Sequence, residues 1–119
     1  MLRKNTRIVA VHFTGDPALT YEHIKREHLA RGLAEVGFHY FIKPDGTLLM
    51  GRNAQRVGAH SPGEDEVSLG ICVLGDRHSM AEEQSLALTL LLDKIRQEFP
   101  EAETVKYFYR EPSGPEQDS

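Results

Sequence analysis

The sequence predicts an α/β domain, with a mixed central β-sheet flanked by helices. Three observations lead there. The runs Ile8–Phe13 and 68–74 are short, β-branched and bounded by turn formers, as buried strands are. Leu88, Leu91, Leu92, Ile95 and Phe99 fall in a narrow stripe at helical spacing. Strand-like and helix-like segments alternate, which is the pattern of a sheet covered by helices.

Each element follows from local chemistry. The first strand is closed by Gly15, Asp16 and Pro17. A helix is expected over residues 21–31, with Thr20 as N-cap and Gly32 ending it. Ile24 and His28 lie four apart on one face of it, so His28 reads as a packed histidine. Residues 38–42 read as a strand, Pro44-Asp45-Gly46 as a turn and residues 47–50 as the returning strand of a hairpin. Residues 51–66 form a long glycine-containing loop, of the kind that tends to carry function. After the strand at 68–74, Ser79-Met80-Ala81-Glu82 has the pattern of a capping box, and the helix it opens should stop at Pro100. Thr104–Tyr109 is the last strand. Residues 1–110 are taken as a single domain and the polar, proline-bearing stretch 111–119 as a flexible tail.

Composition excludes several function classes. With 39% hydrophobic and 27% charged residues the chain is of ordinary globular make-up. A net charge of −4 argues against nucleic-acid binding, which concentrates Lys and Arg. The one basic cluster, Leu2-Arg3-Lys4-Asn5-Thr6-Arg7, reads as a solvated lead-in to the first strand. No stretch approaches the roughly 20 apolar residues that span a bilayer, so no membrane partner is expected. A lone cysteine, Cys72, forms no intrachain disulfide, and a cytoplasmic location is the expectation.

The motifs then carry a resemblance. The segment from Glu27 through Gly37-Phe38-His39-Tyr40-Phe41-Ile42-Lys43-Pro44-Asp45-Gly46-Thr47 to Gly51-Arg52 resembles the zinc N-acetylmuramoyl-L-alanine amidases. These include amidase-type phage lysozymes and peptidoglycan recognition proteins. Val57-Gly58-Ala59-His60 and Ser68-Leu69-Gly70-Ile71-Cys72 look like two further motifs of that family, in the expected order. The resemblance implies the amidase/peptidoglycan-recognition fold.

It also implies a zinc site, of two histidines and a cysteine, with an open position for water. His12, ending the first strand, matches the first ligand. In Lys106-Tyr107-Phe108-Tyr109-Arg110-Glu111 the second histidine is absent, and Tyr109 stands in its place. The third ligand would be a cysteine before a proline, and Gly114-Pro115 offers none. The family's assisting tyrosine is Phe38 here, no lysine follows Lys106 to face an oxyanion, and Glu27 replaces a tryptophan of the first helix. A regrouped site of His12, His39 and His60 is disfavoured, because His39 should point away from Phe38 across the strand.

These departures lead to the expectation of a catalytically inactive amidase-like protein, with no catalytic residue, no metal and no cofactor of its own. Its remnant pocket would comprise His12, Phe38, His60 and Tyr109. A phage- or prophage-encoded inhibitor of a host protein, such as a defence system or RNA polymerase, is the favoured role by resemblance. Leu86 and Leu90, an aliphatic pair on the polar face of the last helix, are the candidate partner-binding residues. Two alternatives stay open: a zinc-dependent amidase that cleaves peptidoglycan, and a non-catalytic module that binds a peptidoglycan fragment. Cys72 reads as an inert core thiol, and Glu64-Asp65-Glu66 as an acidic, solvated rim.

Overall fold

A computed structural model describes residues 2–16 and 18–109. Pro17, Arg110, the expected tail 111–119 and the Gly114-Pro115 pair lie outside the described residues. Five strands and two helices follow in the order β1 (Ile8–Phe13), α1 (Tyr21–Ala30), β2 (Tyr40–Ile42), β3 (Leu48–Met50), β4 (Ser68–Val73), α2 (Glu82–Glu98) and β5 (Thr104–Tyr109). The sheet runs β3-β2-β4-β1-β5 and is mixed. Only the β2–β3 hairpin is antiparallel, and it turns at Gly46, whose φ of +90° favours glycine. β1 lies in parallel between β4 and β5, with His12 opposite Cys72 on one side and Phe108 on the other.

Alternation along the strands divides the interior into two layers. Val9, Val11, Phe13, Tyr40, Ile42, Leu69, Ile71 and Val73 face Leu88, Leu91 and Ile95 of α2. Phe41 and Cys72 face the opposite way, towards Ile24 of α1 and Val36. The central strand β4 is buried at every residue, as expected of a parallel strand covered on both faces.

Thr20 caps α1: its hydroxyl accepts from the His23 amide, and the His23 ring accepts in return from the Thr20 amide. His28 is buried and its Nδ1 accepts from the Gly37 amide at 2.9 Å, so it is a satisfied core histidine. The expected capping box at the second helix is absent. Ala81 is the N-cap and offers no side-chain bond, whereas Ser79 ends a short 3-10 turn capped by Asp76. The sequence stripe on α2 also omits Gln84, which is buried and donates its amide to Ile42 O and Leu74 O. The stripe's Leu92 and Phe99 are partly buried against the same core.

Candidate functional site

On the α1 side of the sheet, the ends of β1 and β5 meet the helix around a cavity of about 270 Å³. His12, Phe38, Phe108 and Tyr109 line it together with Ile24 and Glu27 of α1. His12 reaches it because its partners in register, Cys72 and Phe108, share its face of the sheet. Its ring stacks on Phe108 with centroids 4.6 Å apart and meets the edge of Phe38 at 5.2 Å. Burial pushes the His12 pKa down to about 4, against the opposing pull of Asp65, so the imidazole is neutral near pH 7.

Behind this wall lies a second, tighter arrangement. The His60 side chain has no exposed surface and packs between His12 and His39, with centroids at 5.5 and 5.6 Å. Two glycines make room for it. A Cβ at Gly70 would lie 2.5 Å from His60 Cδ2, and one at Gly58 would lie 2.6 Å from the same atom. The two glycine-containing motifs of the sequence therefore meet in space at this ring. Asp65 holds the loop closed, its Oδ1 accepting from the amides of His60 and Ser61 at 2.9 and 2.8 Å. The Ser61 hydroxyl stands between two imidazoles, 3.2 Å from His12 Nε2 and 3.1 Å from His60 Nδ1.

His39 is fully committed: Nδ1 accepts from the Gly70 amide at 2.9 Å, and Nε2 donates to Arg56 O at 2.7 Å. Burial lowers its pKa to about 4, opposed by that backbone bond and assisted by the Arg3 and Arg52 charges. The loop carrying Arg56 is tied down from both sides. Arg3 donates to Arg56 O and to Thr6 Oγ1, and Arg52 donates to Val36 O and Val57 O.

The structure thus brings His12, Phe38 and Tyr109 to one cavity, while His60 sits behind it and shares a separate recess with Phe38 and Asp65. Phe108 is the register partner of His12 and stacks on it, while Tyr109 falls opposite Phe13 and lines the same cavity. Two sequence readings need correction. His39 does not turn away from the Phe38 side, since both residues contact His60; they precede β2, where strict alternation begins. Asp65 is no mere solvated charge but the acceptor that closes the loop. Leu86 and Leu90 are each 59% exposed on the outer side of α2.

The sequence profile of the N-acetylmuramoyl-L-alanine amidases matches residues 2–107. The chain belongs to that family. It is 31% identical over 86 residues to the endolysin of Enterobacteria phage K11, covering 66% of this chain and 57% of that protein. It is 38% identical over 48 residues to the peptidoglycan-recognition protein LB of Drosophila melanogaster, which covers 40% of this chain and 21% of that protein. Among solved structures, the amidase LysCS from Clostridium intestinale URNW superposes with a TM-score of 0.79 at 28% identity, over 87% of this chain and 68% of that one. The chain spans about half the length of the phage endolysins it matches.

Membership makes zinc the group to test against the residues present. A catalytic zinc is ordinarily held by three protein ligands. Around His12 stand two phenylalanine rings, a serine hydroxyl and the buried His60. Cys72 is the register neighbour of His12, and its buried thiol packs in the core layer with Phe41 and Ile24. Among the described residues no three His, Cys, Asp or Glu side chains converge as a metal would require. The donor set among the described residues does not fit a three-ligand zinc.

Ser61 was missed from sequence, and its only signal there is adjacency to a motif histidine. Phe108 was missed because its place depends on strand register, which local composition does not encode.

Proposed function

We propose that this amidase-family domain binds an N-acetylmuramoyl-peptide fragment of peptidoglycan in the His12–Phe38–Phe108 cavity without hydrolysing it through zinc held on these residues. The observation that carries this reading is the pairing of an open cavity with aromatic rings, Phe108 and Tyr109, beside His12, where amide chemistry would need further metal-ligating side chains. Activation of water requires an open metal position backed by protein ligands, whereas binding needs a concave, mostly apolar wall with a few polar groups. The cavity supplies the latter through Phe38, Phe108 and Ile24, with His12 and Glu27 as polar members. The name of the Drosophila relative describes recognition of peptidoglycan, and the family name describes the N-acetylmuramoyl-L-alanine linkage; both support this ligand class.

Calorimetric titration with soluble muropeptides should give saturable heat that is lost in Phe108→Lys, with no stoichiometric zinc in the purified protein. Release of free N-acetylmuramic acid ends from purified cell walls, dependent on zinc and on His12, would overturn the non-hydrolytic reading in favour of a working amidase.

A second reading, binding of a host protein by the outer side of α2, is favoured by the exposure of Leu86 and Leu90. Interfaces centre on such apolar groups ringed by polar ones. Glu82, Asp93 and Gln97 are all exposed on the same helix.

A further inference from the structure

The Ser61 hydroxyl is buried and stands between the His12 and His60 rings, and a neutral imidazole, the ordinary form near pH 7, carries one ring proton. A hydroxyl has one proton to donate, so it donates to one ring and accepts from the other. If it donates to His12 Nε2, His12 carries its proton on Nδ1 and His60 must donate from Nδ1. If it donates to His60 Nδ1, His60 carries its proton on Nε2 and His12 must donate from Nε2. The two rings therefore hold their protons on like-named nitrogens.

Asp65 decides between these states. Its Oδ1 lies 3.8 Å from His60 Nε2, the one buried side-chain polar atom without a hydrogen-bond partner among the described residues. A proton on that nitrogen is attracted by the carboxyl oxygen, whereas a bare lone pair there would face it repulsively. The Nε2–H state of His60 fixes the rest of the chain: Ser61 donates to His60 Nδ1, and His12 Nε2–H donates to Ser61. Since Nε2 of His12 is engaged by Ser61, Nδ1 is the ring nitrogen left for the cavity that His12 lines.

We propose that Ser61 is a positioning residue that couples the tautomers of His12 and His60, so that His12 offers the cavity a lone pair at Nδ1 and selects ligands that present an N–H or O–H donor there. The statement about ligands rests on the muropeptide reading; the statement about tautomers does not. An N-acetylmuramoyl-peptide has suitable donors in its amide N–H groups. A bare carboxylate or other acceptor at this point would meet a lone pair and be rejected, as sites with fixed hydrogen-bond polarity reject mismatched groups.

The test is long-range proton–nitrogen correlation spectroscopy of the imidazole rings of the full chain near pH 7. The wild-type protein should show His12 and His60 each as a single tautomer, protonated at Nε2. Ser61→Ala should leave the amide spectrum folded and convert His12 to averaged tautomers, and Ser61→Thr, which keeps the hydroxyl, should restore the single form. Opposite tautomers on the two rings of the wild type, or an unchanged His12 in Ser61→Ala, would overturn the coupling. The wild-type measurement decides even if a variant fails to fold. Titration with N-acetylmuramoyl-L-alanine should then shift the His12 Nδ1 resonance. With the tautomers as expected, absence of any response to this probe or to longer muropeptides overturns the ligand reading and leaves the role of Ser61 standing.

Discussion

Gly70→Ala tests whether the glycine of β4 exists to seat His60. Gly70 lies in a strand with no positive φ, so alanine meets no backbone penalty there. Its new methyl would lie 2.5 Å from Cδ2, 2.6 Å from Cγ and 2.7 Å from Nε2 of His60. That ring has no exposed surface and is enclosed by His12, His39 and Phe38, so it has no free direction in which to swing. Overpacking of a tight interior costs about 1–3 kcal/mol, and contact with three ring atoms at once points to the upper part of that range. Replacing glycine in a strand returns about 0.5–1 kcal/mol of backbone entropy. The net expectation is a loss of about 2 kcal/mol, measured by urea unfolding with an unchanged m-value. In a His60→Ala background the clash is gone, and Gly70→Ala should be neutral or slightly stabilising. The double-mutant cycle should therefore give a coupling of about 2–3 kcal/mol. Equal destabilisation in both backgrounds would refute the seating argument, as would a neutral Gly70→Ala in the wild type.

Three further outcomes are expected. The folded His39 pKa of about 4, against an ordinary 6.5, means that the unfolded chain binds its proton first on acidification. Its contribution is full above about pH 6.5 and is lost as pH falls towards about 4; the shift amounts to about 3 kcal/mol. Unfolding free energies at stepped pH should show this slope together with those of His12 and His60, whose pKa values burial also lowers, and His39→Gln should reduce it by the His39 share. Gln84→Leu removes the Gln84 donor from the Leu74 carbonyl, while Ile42 O keeps the Leu74 amide, and should cost about 1–3 kcal/mol, read as a lowered Tm. Leu86→Glu combined with Leu90→Glu should change stability by no more than about 0.5 kcal/mol per site, because both side chains already stand in solvent. A large loss in that variant would show the pair to be core.

The strands and helices were legible in the sequence because their signals are local. β-Branched composition marks β1 and β4, Thr20 and the helical stripe mark α1 and α2, and the Pro44-Asp45-Gly46 turn marks the hairpin. The α2 cap was misread because the Ser79 pattern is satisfied only if the chain turns into the helix there, and the short turn at Arg77–Ser79 prevents it. Family membership was likewise legible, since it rests on several separated motifs in order.

What the motifs do for one another was not legible. Gly58 and Gly70 are twelve positions apart in sequence yet flank one imidazole, and Asp65 reads as surface charge until the loop folds back onto its own amides. The neighbour of His12 is set by how β5 slides against β1, and one step in that register exchanges Phe108 for Tyr109. Composition and periodicity by themselves determined which segments form the layers, because burial of apolar surface acts locally along each segment. Tertiary structure alone decided which side chains meet at the cavity, because strand register and loop closure are long-range pairings that no local pattern encodes.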